Sequence, residues 1–295
     1  LVEPTDGSRI VLSVNYSDTE DESNVRGQPL NGNTTGRNTP GTIIPTMPRQ
    51  TALSVDTEIM HEQFGASLQT AFDLGSVALE TTTSFQENEV FISTPGDATP
   101  ANTLFVEVEP KSRYYSQEFR LLSQDWEKLD WIAGLFLFKG NGKFDPFSIN
   151  NAIFREARQD VKSWAVFAEG TYSITDALKF TAGARFSSED RKFNFTQNGV
   201  NIVVDEKTSF EEWTPRATLQ YFFTDDINAY ATYSRGFKSG VFNSFSSNRT
   251  PVDPEILDAY EIGLKTKPID WLQVNLAAFY YDYQDIQVSA RDDSS

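Results

Sequence analysis

Apolar and polar side chains alternate along this chain in a series of short segments. The segment Pro254–Lys265 shows the pattern clearly, because every second residue near its end is apolar or aromatic. Its apolar row is Tyr260, Ile262 and Leu264, and its polar row is Glu261, Gly263 and Lys265. Successive side chains of a β-strand point to opposite faces of a sheet. The segment is therefore predicted to be a strand with one apolar face and one polar face.

The same alternation recurs often enough to predict about eleven strands. They are expected at Ser8–Tyr16, Gln63–Asp73, Ser76–Gln86, Arg113–Ser123, Trp131–Phe138, Trp164–Tyr172, Lys179–Phe186, Arg216–Phe223, the start of Asn228–Asn243, Pro254–Lys265 and Trp271–Tyr283.

Short turns and long polar loops alternate between these strands. The long loops are predicted at Ser17–Glu58, around Pro95, Gly96 and Pro100, at Lys139–Gln159, and after Phe186, where Ile202–Val204 is a candidate for an extra β-excursion. A soluble sandwich has no reason to place every short turn at one end of its sheet, whereas insertion from one side of a membrane imposes that arrangement. The pattern predicts an all-β, antiparallel transmembrane β-barrel with short periplasmic turns and long extracellular loops.

The hairpin from Trp164 to Phe186 confines its charges to one row. The row expected to face lipid contains Trp164, Val166, Ala168, Tyr172, Phe180, Ala182, Ala184 and Phe186, and the interior row contains Glu169, Thr171, Thr181 and Arg185. By the same count, the interior rows of other strands carry Glu118, Arg120, Arg216, Glu261 and Lys265. An Arg or Lys on the lipid side costs roughly 2–4 kcal/mol near the midplane, so this confinement is energetically meaningful. Glu169 and Arg185 lie about equally far from their shared turn, which predicts an ion pair between them inside the lumen.

Aromatic residues gather at the strand ends near the short turns. They are Trp131, Tyr172, Phe180, Tyr221, Phe223 and Trp271. An apolar ring with a polar edge suits the boundary between hydrocarbon and headgroups, so these residues favour an interfacial girdle. The alternative is that aromatic residues are simply common in strands.

Composition excludes several functional classes. Asp and Glu number 42 against 25 Lys and Arg, for a net charge of −17, which argues against a nucleic-acid partner because phosphates would be repelled. There is no cysteine, so disulfides and thiolate metal sites are excluded. No apolar run approaches the roughly 20 residues of a membrane-spanning helix. The N-terminus, LVEPTDGS, shows no signal peptide.

The sequence contains few candidates for a catalytic or metal site. His61 is the only histidine and stands at the end of a polar segment, where a solvated role is the ordinary one. Paired carboxylates such as Asp225–Asp226, Glu211–Glu212 and Asp292–Asp293 are those of solvated turns and loops rather than glycosidase acids. The run Asp18–Glu22 lacks the spacing of a calcium loop. No enzymatic activity, cofactor or metal site is predicted.

The stretch NAYATYSRGFKSGVFN, followed by PEILDAYEIGLK, resembles a recurring signature of TonB-dependent outer-membrane receptors. The matching residues are Tyr233, Gly236, Phe237, Gly240, Phe242, Asn243, Glu255, Tyr260, Glu261, Gly263 and Lys265. Further segments from Ser116 onward, including FAEGTYSITDALKFTAGARF, look like successive barrel strands of these receptors. The glycines are expected to shape the backbone and Phe237 to pack. Arg235 and Lys238 are candidates for ligand contact.

The resemblance implies a partial receptor of residues 1–295, with about eleven of the roughly 22 strands of a plugged barrel. The N-terminal plug, its energy-coupling box and the C-terminal strands are expected elsewhere in a longer precursor. Such a piece leaves unpaired edge strands and is not expected to insert or transport alone.

By resemblance, the whole protein imports a scarce nutrient across a bacterial outer membrane, with ferric siderophores as the default ligand. Its implied partners are membrane lipid and, through the missing N-terminal region, the TonB energy-transducing complex. The alternatives are a passive porin-like or structural barrel without a plug, and a soluble β-rich enzyme or binding module. The upstream sequence tests the first alternative, because a plug domain with its coupling box supports active transport and a signal peptide joined directly to the first strand supports a pore. The second alternative predicts a protein that is soluble without detergent.

Overall fold

The computed structural model describes residues 7–21, 46–47, 53, 55, 57–95, 104–245 and 247–288. These residues form eleven β-strands: β1 (Ser8–Asp21), β2 (Glu58–Asp73), β3 (Val77–Pro95), β4 (Phe105–Ser123), β5 (Leu129–Ile149), β6 (Ile153–Ser173), β7 (Leu178–Gln197), β8 (Val200–Thr224), β9 (Ile227–Lys238), β10 (Glu255–Ile269) and β11 (Leu272–Gln284). Each strand pairs antiparallel with its sequence neighbours in one sheet, whose order runs from β1 to β11. The predicted all-β antiparallel fold and its eleven strands are confirmed. Among the described residues, no helix has the length and apolar character needed to cross a membrane.

The strands are much longer than a membrane crossing requires. β8 has 25 residues and β5 and β6 have 21 each, against about 9–11 for a tilted transmembrane strand. The predicted long loop at Lys139–Gln159 is therefore wrong, because β5 and β6 stay paired until only residues 150–152 connect them. The loop predicted after Phe186 is wrong for the same reason, and Ile202–Val204 is part of β8.

Asparagine and glycine close these two extended hairpins. Asn198 and Gly199 form a two-residue turn with φ of 51° and 75°, and Asn150 and Asn151 both have a φ of 52°. Asparagine and glycine tolerate this left-handed conformation better than other residues, and Asn-Gly is a strong hairpin signal. A strand that stands in water on both sides can be polar throughout, so its composition resembles that of a loop.

The other predicted loops are described only in part. β1 continues to Asp21, so the start of the loop predicted from Ser17 is wrong, and residues 22–45 of that prediction lie outside the described residues. Pro95 ends β3, whereas Gly96 and Pro100 lie outside the described residues.

Strand register confirms that the two rows of the Trp164–Phe186 hairpin lie on opposite faces. Ala168 lies opposite Ala184, and Thr171 lies opposite Thr181. The row of Ala168 is called the apolar face below, and the row of Thr171 the polar face. On the apolar face Trp164, Val166, Tyr172 and Phe180 are each 40–47% exposed. Large apolar side chains left open in this way need a covering that the sheet itself does not provide.

The connection between β9 and β10 folds back over the polar face. Within it, Val241 bridges Val252, and Phe242 is buried. Among the described residues, Phe242 lies in a cluster of buried apolar side chains with Ala157, Phe193, Phe195 and Val203, and Phe144 packs against this cluster. This small core packs the connection against β6, β7 and β8.

Aromatic side chains form two belts on the apolar face. The turn-side belt contains Trp131, Tyr172, Phe180, Tyr221 and Phe223, with Trp271 in the β10–β11 turn, which confirms the predicted placement. The loop-side belt was not predicted; it consists of the ring groups Phe64–Phe85–Tyr115, Trp164–Phe186–Trp213 and Tyr233–Tyr260–Tyr280. Eight residues separate Trp164 from Tyr172 on β6, which is roughly 26 Å along the strand.

The loop-side belt runs obliquely across the hydrogen-bonded rows. Compared with the directly opposed residue pairs, the aromatic residues of the belt shift toward the short-turn end from strand to strand. The shift is two residues between β2 and β3, two between β4 and β6, two between β6 and β7, and four between β8 and β9. The total is ten residues over nine strand steps. With about 3.3 Å per residue and about 4.8 Å between strands, the belt lies in one plane perpendicular to a barrel axis only if the strands tilt by roughly 37° from that axis. Transmembrane barrels have tilts of about 35–45°.

Candidate functional site

The polar face of β8, β9 and β10 forms an open groove of about 640 Å³. Arg216, Tyr230, Glu261 and Lys265 line it, together with the hydroxyls of Thr218 and Thr232, whose oxygens lie 2.9 Å apart. Tyr230 donates a hydrogen bond to Glu261, and the Lys265 ammonium lies 5.5 Å from the centre of the Tyr230 ring. The predicted positions of Arg216, Glu261 and Lys265 on the interior row are confirmed.

The predicted ion pair between Glu169 and Arg185 is wrong. Glu169 lies 3.6 Å from Arg216 instead, and Arg185 donates to the hydroxyl of Ser187 at 3.1 Å. The register explains the exchange, because Gly183 stands directly between Glu169 and Arg216 on the same face and has no side chain to keep them apart.

Arg185 is held by aromatic rings rather than by a carboxylate. It lies opposite Phe167, and its guanidinium is 5.4 Å from the ring centre of Phe136 and 5.6 Å from that of Phe167. Cross-strand ion pairs nevertheless do form on the polar face, as Arg120 and Glu80 show with a 2.6 Å contact. The general expectation of ion pairs in this row is confirmed with other partners.

Arg235 lies on the apolar face, with the aromatic residues of the signature. Register places it in the row of Tyr233 and Tyr260, opposite Asp258. Its Nε and Nη2 atoms donate to the two oxygens of Asp258 at 2.8 and 2.7 Å, and the Tyr233 hydroxyl donates to Asp258 at 2.8 Å. A bidentate pair of this geometry locks both side chains. Arg235 therefore ties β9 to β10.

Lys238 lies on the opposite face from Arg235, so the two candidate ligand contacts are not brought together. Its ammonium is 3.2 Å from Glu255, and its side chain is 61% exposed. Glu255 is buried and also accepts hydrogen bonds from the Tyr283 hydroxyl and the backbone N–H of Gln287. The Gln287 N–H and, more weakly, Lys238 lower the pKa of Glu255 against the opposing effect of burial.

Gln287 fastens both ends of the β9–β10 connection. Its side-chain amide donates to the carbonyls of Ser239 and Asp253 at 3.1 and 2.9 Å. Together with the bond to Glu255, this joins the segment after β11 to the start and the end of the connection. Sequence analysis missed Gln287, because its role depends on contacts between segments that are distant in the chain.

The middle of the connection reaches across the polar face as far as β5 and β6. The ring of Phe242 stacks on Phe193 at 5.1 Å, and Gln159 donates to the Phe242 carbonyl at 2.9 Å and to Ser244 at 2.6 Å. Asn243 is exposed and accepts a hydrogen bond from the Phe245 N–H. The connection thus covers part of the polar face at the loop end of β6 and β7.

Two signature glycines permit close approach. A Cβ on Gly263 would lie 2.3–2.5 Å from atoms of the Tyr230 ring, and one on Gly240 would lie 2.3 Å from Phe210 and from the Val252 carbonyl. Gly236 has no such neighbour, and Phe237 is half-buried opposite Ile256. Gly263 lets Tyr230 lie flat across the strand, which positions its hydroxyl at Glu261.

The described residues contain no group of three His, Cys, Asp or Glu side chains that could hold a metal ion. What the polar face offers is a set of hydroxyl, carboxylate and cationic groups along a groove. Groups of this kind can form hydrogen bonds and ion pairs with a polar solute.

Solved structures of two uptake receptors and a copper transporter share this fold at low sequence identity. The ferric yersiniabactin uptake receptor FyuA from Yersinia pestis matches 96% of this chain and 43% of its own, with a TM-score of 0.77 and 15% identity. The ferric-catecholate import receptor Fiu from E. coli K12 in its closed form matches 98% and 50%, with a TM-score of 0.70 and 15% identity. The copper transporter OprC matches 96% and 44%, with a TM-score of 0.67 and 12% identity.

The chain spans about half the length of these structures or less. Residues 3–295 match the sequence profile of the family described as TonB dependent receptor-like, beta-barrel. The chain therefore belongs to the TonB-dependent receptor-like β-barrel family.

Proposed function

We propose that the protein is a bacterial outer-membrane receptor that imports a ferric siderophore, driven by the TonB complex of the inner membrane. The apolar face of the sheet meets lipid, and the polar face lines the route of the solute. The short turns then lie in the periplasm and the β9–β10 connection lies outside. The whole protein supplies the plug and the remaining strands.

The observation that carries this proposal is the pair of aromatic belts on the apolar face. Their separation of roughly 26 Å along β6 becomes about 21 Å across the membrane at the tilt derived above. The hydrophobic band of outer-membrane barrels is about 25 Å tall, and the outer membrane is thinner than an average bilayer. The separation of the two belts, the strand tilt and the exposure of the apolar face all support a transmembrane zone between the belts.

Family membership and the functions for which the structural relatives are named support the ligand class. FyuA and Fiu are named for uptake of ferric complexes, and OprC for copper. A ferric chelate is therefore the first ligand to test, and copper is the alternative metal cargo.

Lys238 is the residue of this chain that we assign to ligand contact. It combines a 61% exposed side chain with a position on the polar face, where the β9–β10 connection begins. Arg235 is assigned a structural role, because it lies on the other face with its donors on Asp258.

Uptake of radioactive iron by a deletion strain tests the proposal. The strain is grown without iron and offered a panel of ⁵⁵Fe-labelled siderophores, with and without the gene for this protein. We expect the gene to restore uptake of at least one ferric chelate, and uptake to stop when the proton gradient is collapsed or TonB is deleted. Uptake that persists without TonB would identify a passive pore instead, and restored uptake of copper but of no ferric chelate would overturn the ligand class.

The Lys238→Gln variant tests the assigned contact. It removes a charge while Glu255 keeps its hydrogen bonds to Tyr283 and Gln287. We expect the KM for the chelate to rise severalfold at unchanged protein level. The matched control is Lys128→Gln at the turn end of the strands, for which no change is expected.

A further inference from the structure

Four polar side chains stand on the apolar face between the two aromatic belts. They are Thr70 on β2, Thr81 and Thr83 on β3, and Gln117 on β4. We call this set the polar patch. Thr83 and Gln117 are two residues from the loop-side belt, Thr81 is four and Thr70 is six. At the derived tilt these positions lie about 5, 11 and 16 Å deep in a zone of about 21 Å.

The polar patch differs from the neighbouring part of the apolar face. On the described strands β5 to β9, the zone between the belts carries apolar side chains and one glycine, as Val166, Ala182 and Ala217 illustrate. Hydrocarbon tails offer no hydrogen bonds, so a polar side chain that faces them is costly. Four such side chains side by side therefore need a partner other than lipid tails.

Hydrogen bonds within the polar patch satisfy it only in part. The hydroxyls of Thr70 and Thr81 lie 2.8 Å apart, and the Thr83 hydroxyl donates to Oε1 of Gln117. Nε2 of Gln117 donates to the carbonyl of Glu118 at 3.1 Å. A side-chain amide has two N–H donors, and the second one of Gln117 has no acceptor in the part of the chain that the structure describes.

Apolar side chains border the polar patch. Leu68, Phe119 and Leu137 stand directly opposite three of its members, and each is 40–41% exposed. Contacts between membrane-spanning segments combine small residues, threonine among them, with hydrogen bonds of Ser, Thr, Asn or Gln across the interface. A centre of three threonines and one glutamine inside an apolar border has this composition.

The charges directly above the polar patch on β3 and β4 are paired. Arg113 lies 2.5 Å from Glu87, and Lys111 lies 3.3 Å from Glu89. These four charges cancel, so they do not repel another protein that approaches through this face.

We propose that two copies of the protein pair side by side in the outer membrane through the polar patch. This inference rests on the outer-membrane placement in the proposed function. All copies are inserted in one orientation, so a closed pair has its two-fold axis along the membrane normal and brings each depth opposite the same depth. A second copy therefore supplies hydroxyl and amide groups at the depths where the polar patch needs them. Near the axis, the second N–H of Gln117 donates to Oε1 of the partner subunit's Gln117, and symmetry supplies the reverse bond.

Photo-crosslinking in living cells tests which molecule covers the polar patch. Benzoylphenylalanine in place of Phe119 captures whatever lies beside β4, and the same group in place of Ala217 is the control on β8. Both positions are on the apolar face, four residues from the loop-side belt. We expect a product of two copies from position 119 and none from position 217.

The strength of pairing is measured on the whole protein in lipid vesicles, by energy transfer between labelled copies at increasing dilution in lipid. One hydrogen bond between transmembrane helices changes an association constant by about threefold on average. Gln117→Leu removes two bonds per pair and should weaken pairing roughly eightfold. The matched control Ala217→Leu places the same side chain on β8 and should leave pairing unchanged.

The stability of the single copy separates an interface from a role in folding. At high dilution in lipid, Gln117→Leu should unfold at the same denaturant concentration as the wild type or at a higher one, because leucine suits hydrocarbon better than an amide. A lower midpoint would show that Gln117 serves the fold of one copy and would overturn the proposal.

Three other results would also overturn it. They are crosslinks from position 119 to lipid alone or to a different protein, equal crosslinking between copies from positions 119 and 217, and wild-type pairing in Gln117→Leu. If the protein fractionates with the outer membrane and only the pairing tests fail, the proposed function stands. Absence from the outer membrane would overturn both.

Discussion

An arginine at Ala217 tests directly whether the apolar face meets hydrocarbon. Ala217 lies on β8 midway between Trp213 of the loop-side belt and Tyr221 of the turn-side belt. It borders an open groove of about 620 Å³ on the apolar face, so a long side chain fits without a steric clash. Any cost of Ala217→Arg then comes from the environment of the charge.

The expected cost is about 2–4 kcal/mol, which is the penalty for Arg near the midplane on the lipid side of a barrel. It corresponds to a roughly 30- to 900-fold change in the folding equilibrium. The neighbouring Thr218→Arg places the same charge on the polar face, where it loses only the hydrogen bond to Thr232, worth about 0.5–1.5 kcal/mol. Ala217→Met adds length without charge and should cost nothing.

The free energy of unfolding is measured for the three variants of the whole protein by guanidinium titration in lipid vesicles. We expect Ala217→Arg to be the least stable and Ala217→Met to equal the wild type. A cost for Ala217→Arg below that of Thr218→Arg would refute the assignment of the two faces.

Three further predictions concern the polar face and the β9–β10 connection. The pKa of Glu255 is lowered in the folded protein, so Glu255 stabilises the fold above the usual glutamate pKa and loses this effect as the pH falls through its lower folded-state pKa. Glu255→Gln should therefore reduce the melting temperature at pH 7, and its deficit should shrink as the pH is lowered below the usual glutamate pKa. Phe242→Ala removes a buried ring and should cost about 3–5 kcal/mol of local stability, measured as faster proteolysis of the connection. A double-mutant cycle on Glu169 and Arg216 should give a coupling of at most about 1 kcal/mol, since the pair is half-exposed, and a cycle on Glu169 and Arg185 should give none.

Each of these predictions has its own control. Asn243→Ala, at an exposed neighbour of Phe242, should leave proteolysis of the connection unchanged. A deficit in the melting temperature of Glu255→Gln that does not shrink at all as the pH is lowered would show that the loss is steric rather than electrostatic. A Glu169–Arg185 coupling as large as that of Glu169 with Arg216 would contradict the observed register.

The sequence predicts the faces of the strands well, because a membrane on one side and water on the other impose a period of two. The rows around Ala168 and Thr171 follow from that period alone. The alternation does not predict where a strand ends once it leaves the membrane, because both of its faces are then polar. For the β7–β8 hairpin, the available sequence signal was the Asn198–Gly199 dipeptide.

The partner of each charged side chain depends on the register between strands and on the length of the side chain, and the alternation of apolar and polar residues specifies neither. Glu169 pairs with Arg216 across Gly183, so its partner lies on β8, one strand beyond the β7 position that a count from the shared turn indicates. Asp258 becomes the partner of Arg235 only through the register of β10 after a 16-residue connection.

Cysteine scanning of β6 tests the central claim most directly, because the chain has no cysteine of its own. Single cysteines at each position from 166 to 172 carry a spin label in native outer membranes, and collisions with oxygen and with a water-soluble nickel chelate are measured. The account predicts that oxygen accessibility peaks at the even positions and nickel accessibility at the odd ones. Equal accessibility at both sets of positions, or the reverse alternation, would contradict it.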